Sequence, residues 1–185
     1  MKGHHAAMMK YVPLVALFCM PAVSFAEGYR SKPTIVVGDI GLHCPYEITG
    51  SEPAPNTENG VIDTISGEPQ VIAHTTTVPA IPDLGFGVQL RLAEGVTLPG
   101  AEIVVRHPPM GAEGVTEQRW YPNFNDQTYS LSMYRFDFPY ELLVGTWSFS
   151  VEQGGQTHFI AEFDVVPPPA GLTIDALCSG EGLLS

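Results

Sequence analysis

The sequence predicts an all-β protein, an antiparallel β-sandwich of about seven or eight strands. Two observations carry that expectation. Apolar residues recur at every second position in short runs separated by Gly, Pro, Asn and Asp, the punctuation of strands and turns. No stretch keeps an apolar stripe at helical spacing for long, and no internal repeat or heptad occurs. The 185 residues allow one domain with a real core and short extensions.

Taken in order, residues 1–26 have the layout of a secretory signal. Lys2 and Lys10 precede an apolar run from Tyr11 to Met20, and Pro21 and the small-residue pattern Ser24-Phe25-Ala26 follow, so cleavage is expected after Ala26. The run is too short to span a bilayer comfortably, and no later stretch is long enough. The mature chain is therefore expected to be exported, periplasmic or extracellular, with no membrane span. Cys19 follows Phe18, where lipid attachment requires a small residue, which argues against a lipoprotein.

Residues 27–60 read as an N-terminal extension with a first strand at Ile35–Val37, 61–166 as the sandwich core, and 167–185 as an irregular Pro-rich tail. In the core, Val61–Ile65 and Val71–Val78 are strand-like. "FGVQLRL" sets Phe86, Val88, Leu90 and Leu92 on one face, and "AEIVVRH" turns Ile103 and Val105 inward against Glu102 and Arg106 outward. In "TYSLSMYRFDF" the inward set reads Tyr129, Leu131, Met133 and then Tyr134, Phe136, Phe138, a change of parity that calls for a bulge or bend at Met133 and Tyr134. The prolines of "VPPPAG" end the last strand at Val166.

The segment Gly145–Val166 reads as a hairpin with Trp147, Phe149 and Val151 in one stripe and Phe159, Ala161, Phe163 and Val165 in the other. Antiparallel partners share a face, and a two-residue Gly154-Gly155 turn would pair Val151 with His158, which has the wrong parity, so the loop is expected to contain an odd number of residues. A three-residue loop with a glycine bulge would pair Trp147 with Phe163 instead. Phe86, Val88, Leu90, Trp147, Phe149 and Phe163 are the expected structural core.

Removal of residues 1–26 deletes two lysines and no acids, so the formal charge of -12 becomes -14 (6 basic against 20 acidic residues). Such a field repels a phosphate backbone, and neither nucleic acid nor an anionic lipid surface is an expected partner. Cleavage also leaves two of the three cysteines, Cys44 and Cys178. An even pair in an oxidising compartment predicts a disulfide, and without a C-x-x-C spacing it reads as a staple rather than a redox centre.

The order "FDFPYELLVGTWSFSVEQGGQTHFIAEFDV" (Phe136 to Val165), with "FGVQLRL", "IVVRHPP" and the approach "TISGEPQVIAHTTTVPAIPDLGFGV" before it, resembles the bacterial family known as domain of unknown function 3859. The similarity runs from about Val61 to Val165, and the "PYELLVGTW" link is its most specific part. It implies an immunoglobulin-like domain, often exported, with no established activity. "GDIGLHC" and the tail with Cys178 lie outside that stretch.

Residues that could carry chemistry are few. His43, His74, His107 and His158 survive cleavage, and none has zinc-ligand spacing; His43 beside Cys44 is the best metal thought, removed if Cys44 is bridged. No G-x-S-x-G or S-x-x-K occurs, and the acidic pairs Glu113 with Glu117 and Glu162 with Asp164 read as solvated charges. The loop from His107 to Gln127 presents Met110, Trp120, Tyr121 and Phe124, which are either anchors for a partner or caps on the sandwich end. The expectation is a non-enzymatic module without catalytic residues, metal or cofactor that binds another macromolecule or stabilises an envelope assembly. The alternative is a periplasmic small-molecule or metal-binding protein.

Overall fold

A computed structural model describes residues 28–67 and 69–180; the expected signal segment, residues 1–26, lies outside them. The strands in chain order are β1 (Tyr29–Ser31), β2 (Ile35–His43), β3 (Ile48–Pro53), β4 (Val61–Ile65), β5 (Val71–Ala73), β6 (Thr77–Pro79), β7 (Gly85–Leu92), β8 (Glu102–Met110), β9 (Val115–Trp120), β10 (Ser130–Arg135), β11 (Gly145–Gln153) and β12 (Gln156–Val166). A 3₁₀ turn spans Pro139–Glu141, and a short helix, α1, spans Ile174–Cys178.

One sheet has the order β1-β12-β11-β8-β9, with β6 added in parallel to the far end of β12. The other runs β10-β7-β2-β5, and β3 with β4 makes a separate two-stranded hairpin. The strand number exceeds the expected seven or eight because short pieces add up: Val71–Val78 is two strands that serve different sheets, β1 and β9 lie at the ends of the first sheet, and β3 pairs only with β4, none of the three revealed by alternation alone.

The core lies between the two sheets. Phe86 of β7 meets Trp147, Phe149 and Phe163 of the opposing sheet edge-on, at 5.3–5.8 Å between ring centres. Phe86, Val88, Leu90, Trp147 and Phe149 are fully buried and Phe163 nearly so. Each buried large side chain stabilises by about 1.5–3 kcal/mol, so this aromatic layer is the main source of cohesion. The indole N–H of Trp147 donates to Leu143 O at 2.9 Å, which satisfies its one polar group.

The β11–β12 ladder pairs Trp147 with Phe163, Phe149 with Ala161 and Val151 with Phe159, as the shared face requires. The odd residue is not in the loop, however. Gly154 and Gly155 form a two-residue turn, both at positive φ (55° and 78°), and the ladder slips between Val151 and Glu152, leaving His158 as the extra residue. Strand β10 corrects a second expectation. It pairs with β7 in unbroken register from Ser130 with Leu90 to Arg135 with Gly85, without a bulge at Met133. Its inward set is Ser132, Tyr134 and, just beyond it, Phe136, and Leu131 and Met133 point the other way.

Cys44 and Cys178 are joined in a disulfide, with 5.8 Å between their Cα atoms. The tail is less irregular than its prolines suggest. Thr173 caps α1 by accepting from Ala176 N, and Leu177 is buried against the core.

Candidate functional site

The four aromatic and sulfur side chains expected on one loop are not brought together. His107–Gln127 is mostly the β8–β9 hairpin, in which Met110 pairs with Val115 and Trp120 with Ile103. Met110 and Trp120 therefore stand at opposite ends of the hairpin, roughly 17 Å apart at 3.4 Å per residue. Met110 is buried in the core and cannot anchor a partner. The prolines of "HPPM" hid this, because a strand with two prolines reads as a strand end; here β8 is irregular between Arg106 and Met110 and absorbs them. Phe124 packs against the core, and Tyr121 is exposed.

Trp120 instead forms part of a cleft between the edge strands β9 and β10, roofed by the β3–β4 hairpin. The cavity is about 220 Å³. Gln118, Trp120, Ser132 and Tyr134 contribute from the two edges, and Tyr46 and Asp63 from the hairpin side. None but Trp120 was singled out in the sequence. The signal was present in β10: the set Ser130, Ser132, Tyr134, Phe136 alternates without a break, whereas Arg135 and Asp137 interrupt the odd-numbered set.

Polar contacts hold the roof in place. Glu58 N donates to Gln118 Oε1 at 2.9 Å, and Arg119 N donates to Asn56 O. Gln118 Nε2 lies 3.1 Å from His107 Nε2, and His107 Nδ1 lies 2.9 Å from Pro108 O. The carbonyl can only accept, so Nδ1 carries the proton and Nε2 accepts from Gln118. Burial pushes the His107 pKa down, which favours this neutral ring. Arg135 reaches from β10 to Asp63 of β4 and to Asp137, with its guanidinium over the Tyr46 ring at 5.1 Å from the centre. Burial raises the Tyr46 pKa to about 12, so the phenol is neutral at any physiological pH.

Below the roof, Glu141 is almost completely buried. Its Oε2 accepts from the N–H groups of Asp137 (2.6 Å) and Phe138 (2.9 Å), and its Oε1 accepts from Tyr134 Oη at 2.9 Å. Desolvation raises its pKa despite those three donors, and burial beside Glu141 likewise raises that of Tyr134. This carboxyl closes the Pro139–Glu141 turn, a structural task. Phe138 and Tyr140 of the same turn stack in parallel at 5.4 Å, and both are exposed, as is Val144. Tyr140 Oη donates to Asn59 Oδ1, so this pair borders the cleft.

Other charged groups are committed elsewhere. Arg106 and Arg119 form an ion-pair network with Glu102, Glu117 and Glu152 across β8, β9 and β11. The Arg106 hydrogen bond holds Glu152 below the usual carboxylate range. Glu162 and Asp164 are exposed on β12. Among the described residues no group of three or more His, Cys, Asp or Glu is placed to hold a metal ion, and no helix is long and apolar enough to cross a membrane. His43 is fully buried, and neither ring nitrogen has a hydrogen-bond partner among the described residues.

The family model for domain of unknown function 3859 matches residues 31–165. The chain belongs to this family. The match extends thirty residues further toward the N-terminus than the similarity read from the sequence (61 minus 31), so "GDIGLHC", β2 and the β3–β4 hairpin fall within it. Cys178 and α1 lie beyond it. Among solved structures, one described as an immunoglobulin-like protein from Pseudomonas aeruginosa is 20% identical, with a TM-score of 0.49; the match covers 75% of this chain and 96% of that one. The search of curated proteins found no match. The two sheets of this DUF3859 domain face each other across the core as the β-sandwich that the sequence predicts.

Proposed function

We propose that the mature protein is an exported, non-enzymatic binding module whose recognition end is the 3₁₀ turn and the β3–β4 hairpin beside it. The supporting observation is the stacked Phe138–Tyr140 pair, two large aromatic side chains exposed by 45% and 40% on one short turn, with Val144 exposed by 53% in the same segment. Exposed apolar groups gathered in this way mark interaction surfaces more often than scattered ones do. The hairpin side carries Glu47, Glu52, Glu58 and Asp63, and the sequence has no lysine or arginine between Lys32 and Arg91. A neutral or basic envelope macromolecule therefore fits this end, and a polyanion is repelled. The lack of an enzymatic role is supported by the commitments described above: Glu141 is tied by three donors, and the Arg106–Arg119 network consumes the carboxylates around it.

Immobilised mature protein should retain a specific partner from envelope extract at physiological salt, and the double substitution Phe138→Ser with Tyr140→Ser should abolish retention without lowering the unfolding midpoint. No retained partner under several growth conditions would overturn the reading. The second reading, a small-molecule-binding protein, is favoured by the cleft itself.

A further inference from the structure

We propose that the cleft between β9 and β10 is a binding site for one neutral saccharide ring. This deepens the binding-module reading and rests on it. The first observation is a set of polar groups on the cleft walls that the protein leaves without partners. Ser132 is 97% buried (3% exposed), and its hydroxyl, which has no hydrogen-bond partner among the described residues, keeps contact with the cleft. The indole N–H of Trp120 and the hydroxyl of Tyr46 are also without hydrogen-bond partners among the described residues. Water in the open cleft serves these groups, and a ligand rich in hydroxyl groups replaces that water at all three.

Charge narrows the ligand class. An anion would meet Asp63, Asp137 and Glu141, and the single cationic side chain on the wall, Arg135, is already paired with both aspartates. A cation or metal finds no free carboxylate, because Arg135 takes two and Glu141 is held by two backbone N–H groups and Tyr134. A wholly apolar ligand would leave the three polar groups stranded. What remains is a neutral molecule with hydroxyls on its rim and one apolar face, which the Trp120 ring meets on the wall. The volume, about 220 Å³, is below the roughly 300–1,000 Å³ of drug-sized sites, so a single ring is accommodated rather than a long chain.

The site is testable with three probes that share one ring and differ in charge: N-acetylglucosamine, glucosamine and glucuronate, at equal ionic strength. Glucose and the disaccharide of N-acetylglucosamine extend the neutral series. The readout is the indole N–H resonance of each tryptophan. Trp147 is buried and already donates to Leu143 O, so it serves as the fixed reference. A neutral sugar should shift the Trp120 signal saturably, in the millimolar range expected for so small a ligand. Ser132→Ala, with an unchanged unfolding midpoint, should weaken binding about three- to tenfold, the equivalent of one hydrogen bond. Trp120→Phe, which keeps a ring but loses the donor, should weaken it similarly. The proposal is overturned if no neutral sugar shifts Trp120, if glucuronate or glucosamine binds as tightly, or if Ser132→Ala binds as the native chain does. Partner capture without sugar binding removes this proposal alone, and sugar binding without partner capture removes the macromolecular reading alone.

Discussion

At the scale of single residues, His43 departs furthest from ordinary protein chemistry. It is fully buried, neither ring nitrogen has a hydrogen-bond partner among the described residues, and desolvation lowers its pKa, opposed by the nearby backbone of Pro69 and Gln70 and by Asp39. Each unpaired buried polar group costs about 1–3 kcal/mol, so a residue of similar volume without those nitrogens removes a penalty. His43→Leu is therefore expected to leave stability at pH 7.5 unchanged or raise it by about 1–2 kcal/mol, read from denaturant midpoints; a loss above 2 kcal/mol would show that the ring has a partner. His107 and His158 are shifted in the same direction, chiefly by burial, with Glu58 opposing at the first and Lys32 reinforcing at the second. All three native values lie below the ordinary 6.5. Above that pH both states are neutral and the histidines contribute nothing further; as pH falls below it, the unfolded chain takes up protons that the native state refuses. Stability should fall from pH 7.5 toward pH 5, and His43→Leu should flatten that slope. Glu141 has the opposite sign, since its raised pKa favours the native state at low pH, and its effect begins nearer the carboxylate range.

At the scale of elements, the sequence was most legible where strands are long and alternation is clean. The β11–β12 pairing followed from parity together with a short loop, because Trp147, Phe149 and Val151 have only one face to share with Phe159, Ala161 and Phe163. Parity could say that an odd residue existed but not where, since a bulge at His158 and a three-residue loop satisfy it equally. The cleft was illegible for a different reason: it is built from edges that meet only in three dimensions, with Gln118 and Trp120 from β9, Ser132 from β10 and Tyr46 before β3. No local pattern records such a meeting. The two tryptophans test this division between core and edge. Trp147→Ala removes a fully buried ring that also stacks on His107 at 4.8 Å, and should cost about 3–5 kcal/mol of unfolding free energy. Trp120→Ala opens a half-buried edge position already lined by space and should cost less than half as much. Equal losses in urea titrations would mean that the roofed edge is as tightly packed as the core.

At the scale of the whole molecule, the fold closes on itself twice, by sheet packing and by the Cys44–Cys178 bond between the end of β2 and the end of α1. The bridge spans 134 positions, so it restricts nearly the whole unfolded chain. In the chain-entropy account a loop of that size stabilises the native state by about 5 kcal/mol, because the reduced unfolded ensemble is so much larger. In the native state the bond has a local task, since it holds α1 where Leu177 joins the core, while the contacts of Phe86 with Trp147, Phe149 and Phe163 join the two sheets without it. Reduction should therefore lower global stability strongly and release the tail, but leave the two sheets assembled under mild conditions. The expected outcome is no free thiol in the unfolded protein, prepared without residues 1–26, in the absence of reductant. With reductant, the urea midpoint should fall by the equivalent of about 3–5 kcal/mol, amide protection should be lost across α1, and protection in β7, β11 and β12 should persist. Two free thiols in the unreduced protein would refute the bridge. Loss of protection throughout the sheets at the same low denaturant concentration would show instead that the sandwich cannot stand without it.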